Sequence, residues 1–298
     1  MRIFSNRRAI LAFGALPLLA AFGAAAQDRR EAARRRVAAI EHELGGRIGV
    51  AVLDGSGPVL LHGADDPFPL CSTFKLLATA AILKRVDDGT LRLDQEIAYD
   101  AADLTAYAPI TAAALRDGGA GRMSLESLCA AAMVWSDNTA ANLMLRTLGG
   151  ADSGPAALTA YLRGLGDPTT RLDRTEPTLN TAIPGDPRDT TTPAAMAKTT
   201  RILLTGAALR ADSRNRLESW MVAARTGTKR LRAGLPPDWI VGDKTGSGDN
   251  GTANVVAILR PPARPPLVAA IYMTGSTQPP ETRDAAHAEI GRILAAAL

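Results

Sequence analysis

The sequence predicts an α/β two-lobe fold: an antiparallel sheet flanked by terminal helices beside an all-helical lobe, with the active site in the cleft between them. Three observations predict it. Strand patterns stand near both ends of the chain, at 47–55 and again at 239–244, 254–259 and 267–273. The stretch between them, from Ser72 to about Gly206, is patterned as helices. A helical pattern also opens and closes the mature chain. Pairing the early strands with the late ones in a single sheet is the economical arrangement, and the intervening helices then form a layer of their own.

Taken in order, residues 1–26 read as a signal peptide. Arg2, Arg7 and Arg8 come first, an apolar stretch from Ala9 to Ala24 follows, and Ala24-Ala25-Ala26 offers a cleavage site before Gln27. Asn6-Arg7-Arg8-Ala9-Ile10-Leu11 fits a twin-arginine signal as well as an ordinary basic start, so twin-arginine and Sec export both stay open. The expected location is periplasmic or secreted. Gly14, Pro17 and Gly23 interrupt the apolar run, which argues against a stable membrane anchor.

Asp28 to Leu44 alternates charged and apolar residues at helical spacing, with Arg29-Arg30 and Arg34-Arg35-Arg36 forming a wet face. Arg47 to Gly55 reads as a strand entering a turn. Helices then run from Ser72 to Val86, ending at Asp87-Asp88-Gly89, from Ser124 to Trp135, and from Thr139 to Leu148, stopping at Gly149-Gly150. Arg171 to Pro193 breaks this pattern. It holds Pro177, Pro184, Pro187 and Pro193, and is too long for a passive connector. After Pro236-Pro237 the strands return, and a helix runs from about Pro280 to Leu298. The expected division is an α/β lobe from 27–71 and 220–298, and an all-α lobe from 72–219 that includes a 174–189 active-site loop.

A chain of 298 residues has ample material for a core. Lys and Arg total 34 against 30 Asp and Glu, and three of the basic residues fall in the leader, so the mature chain is close to neutral. No basic block is interleaved with aromatics, which argues against a nucleic-acid partner. His42, His62 and His287 lack metal-ligand spacing, and Cys71 and Cys129 make no cluster, so neither a metal nor another cofactor is expected. Both thiols are expected to be free. There is no Gly-x-Ser-x-Gly, no phosphate-binding loop and no Gly-x-Gly-x-x-Gly, which removes support for histidine-based triads and nucleotide chemistry. A monomer is the default expectation.

The chemistry gathers in four short segments. Ser72-Thr73-Phe74-Lys75 sets a hydroxyl and an amine three residues apart where a helix begins, on one helical face. An amine there can take the serine's proton or hold a neighbouring base. Ser136-Asp137-Asn138 lies between two helical stretches, where Asp137 or Asn138 also suits a helix cap. Lys244-Thr245-Gly246 follows the strand Trp239 to Gly242, where it also reads as a strand end and a glycine turn. Glu176-Pro177-Thr178-Leu179-Asn180 falls in the Pro-rich loop.

In this order the four segments resemble the class A serine β-lactamases, over most of the mature chain. The resemblance implies a β-lactamase/transpeptidase-like fold and β-lactam substrates. It implies that Ser72 attacks the lactam carbonyl and that the oxyanion lies between the backbone amides of Ser72 and Ser247. Ser136, helped by Lys75 and Lys244, passes a proton to the departing nitrogen. Glu176 with Asn180 holds the water that hydrolyses the acyl-enzyme. The acylation base, Lys75 or Glu176, stays open. Lys244, Thr245, Ser247 and Asn138 match substrate-binding positions, and Tyr107 matches the aromatic at the cleft mouth. Arg174 and Asp189 match a pair across the loop's neck. Many members carry an arginine where this chain has Ala253, and Arg230 matches the alternative arginine for the substrate's carboxylate.

Gly248 and Thr79 stand where relatives place the partners of cysteines at positions 71 and 129, so neither family disulfide is expected. The run from Arg174 to Asp189, with Ser247 and Cys71, resembles the cefotaxime-hydrolysing subgroup. Penicillins, early cephalosporins and some oxyimino-cephalosporins are the implied substrates. A D-alanyl-D-alanine peptidase or a β-lactam-binding sensor shares part of the pattern, but Glu176 and Asn180 argue against a protein that is acylated once and trapped.

Overall fold

The computed structural model describes residues 16–115, 119–150 and 152–297. The expected signal peptide falls largely outside the described residues. α1 (Leu16–Leu44) starts well before Asp28, because the Leu- and Ala-rich run ahead of it is itself helix-forming. Ala33, Val37 and Leu44 are buried on one face, while the five arginines face outward. β1 (Arg47–Leu53) and β2 (Pro58–His62) follow, pairing antiparallel. β3 (Phe68–Pro69) leads through a 3-10 turn at Cys71–Thr73 into α2 (Phe74–Asp87). Every residue of α2 from Phe74 to Leu83 is buried, as expected of a helix apolar on all sides at the centre of a lobe.

β4 (Glu96–Asp100) and β5 (Ala120–Ser124) come next. α3 (Leu125–Ala130) then winds into a π turn at Ala131–Trp135 before α4 (Asn138–Gly149) and α5 (Gly154–Gly164). The Pro-rich loop holds a 3-10 turn at Thr178–Thr181 and ends at β6 (Thr190–Thr191). α6 (Pro193–Thr205) and α7 (Ala211–Val222) return the chain to β7 (Ile240–Gly248), β8 (Thr252–Arg260), β9 (Leu267–Thr274) and α8 (Pro280–Ala297).

The main sheet is antiparallel in the order β2-β1-β9-β8-β7, so the early and late strands share it as expected. Both its faces are covered. Val255, Ala257 and Leu259 of β8 point to the terminal helices, packing with Val37, Leu44, Ile290 and Leu294. Val256 and Ile258 point the other way, into the core of the helical region. Alternation across a strand thus builds two cores from one sheet. It also explains why these strands read as unbroken apolar runs. Gly49 in β1 is required by close approach, since a Cβ there would lie 2.5 Å from the Phe68 ring.

Two expectations need correction. The middle region is not purely helical: β4 and β5 form an antiparallel ladder, Ile97 opposite Met123, and β3 pairs with β6. β4 was hard to see because Tyr99 is its one buried residue, so it carries almost no apolar signal. The second correction concerns Lys244-Thr245-Gly246, which does not end a strand. β7 continues to Gly248, and Gly246 makes no turn. A Cβ on Gly246 would lie 3.0 Å from the Leu70 carbonyl and 3.2 Å from Cys71 and Thr73, so the glycine lets β7 lie against the turn that carries Ser72.

Cys71 and Cys129 are free and buried. Among the described residues, no helix is long and apolar enough to cross a membrane.

Candidate active site

Ser72 sits in the 3-10 turn that feeds α2, one residue after Cys71, which takes a positive φ of 44°. That turn is tied down on three sides. Thr73 Oγ1 donates to the Leu70 carbonyl at 2.6 Å, Leu70 N donates to the Asp189 carbonyl at 2.8 Å, and Asn254 Nδ2 of β8 donates to the Pro69 carbonyl at 2.8 Å. The Ser72 hydroxyl donates to Glu176 Oε1 at 3.1 Å and accepts from Lys75 Nζ at 2.9 Å. The i, i+3 spacing on a helical turn is what brings amine to hydroxyl.

Lys75 is fully buried and reaches well beyond Ser72. Its amine lies 3.0 Å from Glu176 Oε1, 2.7 Å from the Ser136 carbonyl, 3.3 Å from Ser136 Oγ and 2.5 Å from Asn138 Oδ1. Burial lowers its pKa from the usual lysine range, outweighing the opposing pull of Glu176. Lys244 is also fully buried and donates to Ser136 Oγ at 3.0 Å and to the Thr245 carbonyl at 2.8 Å. Its pKa falls well below the usual range, first through burial and then through the nearby charge of Lys75. Ser136 Oγ thus lies between two amines.

Ser136 ends the π turn with φ 61°, a left-handed conformation that costs a non-glycine residue about 1 kcal/mol or more. Asp137 offsets that cost. Its buried carboxylate caps α4 through Ala140 N at 2.8 Å and accepts from Ile110 N, Thr111 N and Thr111 Oγ1, each at 2.9 Å. Asn138 N donates to the Tyr107 carbonyl at 2.9 Å. Capping and site-building therefore coincide at Asp137, and Tyr107, half exposed, is set at the cleft by the same bonds.

Glu176 is 3% exposed, and Asn142 of α4 clasps its backbone. Glu176 N donates to Asn142 Oδ1 at 3.0 Å, and Asn142 Nδ2 donates back to the Glu176 carbonyl at 2.9 Å. Asn180 Nδ2 donates to Glu176 Oε2. The loop's neck closes through Asp189, which is 1% exposed. This carboxylate accepts from Arg174 Nε at 2.5 Å, Arg174 N at 2.9 Å and Asp173 N at 2.7 Å. The Arg174–Asp189 pair is therefore a buried closure rather than two solvated charges.

Arg230 packs against the strand that carries Thr245 and Ser247. Its Nη2 donates to Ser247 Oγ at 2.8 Å, and Nη1 donates to the Gly246 carbonyl at 2.9 Å and to the Asn254 carbonyl at 3.1 Å. Thr226 Oγ1 lies 2.6 Å from Thr245 Oγ1. A cleft of about 310 Å³ is lined by Ser72, Tyr107, Ser136, Asn138, Asn180, Thr245, Ser247 and Arg230, with Thr226 added. The catalytic and substrate-binding residues singled out from sequence thus meet in one place, with Lys75, Glu176 and Lys244 buried beside the cleft, while Arg174 and Asp189 close the neck of the loop. Asn142 and Thr226 were missed. Asn142 had a signal, one turn beyond Asn138 on α4, whereas Thr226 had none. Among the described residues no group of His, Cys, Asp or Glu could hold a metal ion.

A buried hydroxyl bonded at once to a buried amine and a buried carboxylate, with a second hydroxyl between two amines, is equipped for acyl transfer and hydrolysis. The comparisons agree. The profile of the beta-lactamase enzyme family matches residues 32–298. β-Lactamase AST-1 of Nocardia asteroides is 49% identical over 264 residues, covering 88% of this chain and 83% of that protein. β-Lactamase CTX-M-8 of Citrobacter amalonaticus is 47% identical, covering 84% of each. The solved structure of an ancestral class A β-lactamase superposes with a TM-score of 0.84 at 53% identity, covering 88% of this chain and 98% of that one. The chain belongs to the beta-lactamase enzyme family, as a class A serine β-lactamase that resembles the CTX-M group.

Proposed function

We propose that this enzyme hydrolyses the amide bond of penicillins and cephalosporins through an acyl-enzyme on Ser72, and so confers resistance to them. The observation that carries the reading is Glu176 Oε1, within reach of both the Ser72 hydroxyl and the Lys75 amine. Ser72 gives its proton to this pair and attacks the lactam carbonyl. Both partners stand at proton-transfer distance, and burial, by lowering the pKa of Lys75, favours its free-amine form. The developing oxyanion is held by the backbone amides of Ser72 and Ser247, with the N-terminus of α2 favouring negative charge there. Ser136 delivers the proton to the leaving nitrogen through the line Lys75, Ser136, Lys244.

Deacylation belongs to Glu176, which draws a proton from water held with Asn180. A peptidase or a sensor needs no such carboxylate beside its nucleophile, and its burial within reach of Ser72 Oγ favours turnover over trapping. Thr245, Ser247 and Arg230 receive the substrate's carboxylate, while Tyr107, Asn138 and Asn180 line the path of its side chain. CTX-M relatives and the make-up of the 174–189 loop support some oxyimino-cephalosporin hydrolysis. The chain is exported by a twin-arginine or Sec signal at 1–26, and acts as a monomer in the periplasm or outside the cell.

The test mixes mature protein with benzylpenicillin, following lactam absorbance and intact protein mass together. Many turnovers without a lasting adduct are expected. A stable one-to-one adduct without turnover overturns the reading.

A further inference from the structure

Two short runs of chain meet beside the cleft. Arg225 N donates to the Val134 carbonyl at 3.0 Å, which sets Arg225-Thr226 alongside Trp135-Ser136. The second residue of each run, Ser136 and Thr226, lines the cleft. The first residue of each lies outside it: Trp135 is 38% exposed, Arg225 is exposed, and the guanidinium carbon of Arg225 stands over the Trp135 ring, 4.9 Å from its centroid. Other arginines of this region are neutralised, Arg216 by Glu126, Arg230 by Asp284, Arg232 by Asp243 and Arg260 by Glu218. Among the described residues no carboxylate pairs with Arg225, so its charge is held by the ring and stays uncancelled. Exposed Lys229, four residues on, adds to the same positive rim.

We propose that Trp135 and Arg225 form an outer subsite for a flat, anionic substituent of the substrate, of the kind found on cephalosporins that carry an acidic heterocycle on the ring carbon beside the carboxylate. The inference rests on the reading above, in which Thr245, Ser247 and Arg230 receive that carboxylate. Thr226 Oγ1 lies 2.6 Å from Thr245 Oγ1, so a carboxylate anchored at Thr245 sits beside Thr226. A substituent one ring carbon away then comes within reach of Arg225, the residue before Thr226. The guanidinium plane and the uncovered part of the Trp135 ring give a heterocycle a surface to stack on, and the N–H donors of Arg225 meet its negative charge. Penicillins bear only methyl groups at the corresponding place. For them the subsite stays empty, and its residues affect neither binding nor turnover.

Cefamandole and cefonicid test this, because they share one acyl side chain and one tetrazole and differ by a single sulfonate on the tetrazole. Each is measured as a KM, or as a competitive Ki against benzylpenicillin hydrolysis where its own turnover is slow. Arg225→Gln should raise the value for cefonicid about threefold and leave cefamandole and benzylpenicillin within about 1.5-fold, as expected of one exposed charge pair. The difference should shrink in about 0.5 M salt. Trp135→Leu should raise both cephalosporins about threefold through lost stacking and leave benzylpenicillin unchanged. An unchanged value for cefonicid in Arg225→Gln, an equal shift for cefamandole, or a shift of the same size for benzylpenicillin overturns the proposal. Thermal midpoints of each variant exclude misfolding as the cause, and exposed Arg225 carries the test even if Trp135→Leu does not fold. Failure of the parent to turn over benzylpenicillin would sink the functional reading instead, and is visible in the same assay.

Discussion

Replacing Glu176 by Gln separates the two halves of the proposed reaction. The carboxylate is 3% exposed, accepts from Ser72 Oγ and Asn180 Nδ2, and lies 3.0 Å from Lys75 Nζ. Gln preserves the volume and the Asn142 clasp on the backbone, but it cannot take a proton from water. Loss of a positioned general base costs about 10²- to 10⁴-fold, and Lys75, the other base near Ser72 Oγ, is not bonded to Asn180, with which Glu176 holds the water. Acylation is different. Glu176 raises the pKa of Lys75 while burial lowers it, so removing the carboxylate leaves Lys75 with a larger free-amine fraction, still 2.9 Å from Ser72 Oγ. Acylation should therefore slow by about tenfold or less, while hydrolysis of the acyl-enzyme slows at least a hundredfold. Rapid-quench kinetics with benzylpenicillin should show a burst of one equivalent, and intact mass should show an adduct on Ser72 that persists. Turnover at the parent's rate, or no adduct at all, would refute the assignment of the deacylating base.

Other outcomes follow from the same geometry. Ser72→Ala should abolish covalent labelling by penicillin, which intact mass detects directly. Arg174→Ala leaves the buried Asp189 carboxylate without its cation and should cost about 3 kcal/mol in urea unfolding, with deacylation slowed more than acylation as the loop loosens. Gly246→Ala should cost about 1–3 kcal/mol and reduce turnover, because its Cβ would press on the turn that holds Ser72. For Lys244 the folded pKa lies below the unfolded one, so between the two the unfolded chain binds more protons and stability rises with pH. Relative to Lys244→Met, the parent should therefore gain stability as pH rises toward the unfolded lysine value of about 10.4, by up to about 1.4 kcal/mol per unit. A flat difference between the two proteins across that window would refute the lowered pKa.

Much of this protein was legible in its sequence because its signals are local. Ser72 and Lys75 share a helical turn, Asp137 caps the helix that begins at Asn138, and the apolar runs of β1, β8 and β9 announce strands covered on both faces. Helix spacing, capping chemistry and strand burial are properties of neighbouring residues, and so a one-dimensional reading reaches them. Even the four separated site segments were recognisable, since each keeps its own short pattern.

What tertiary structure alone decided depends on residues far apart in the chain. Gly246 also read as a turn because glycine suits one; it is a strand residue because it pairs with Asn254 of β8, and its lack of a Cβ admits the Ser72 turn, 174 positions earlier in the chain. β4 pairs with β5 although its composition shows almost nothing, because ladder bonds need no apolar side chains. Asp284 belongs to no motif, yet α8 sets it on the guanidinium of Arg230. The lowered pKa values of Lys75 and Lys244 likewise come from burial, which the two lobes create only by closing on each other. Residue types and their local spacing determined which chemistry this chain could carry; packing between distant elements decided how strongly each group is charged and which of its hydrogen bonds remain free for a substrate.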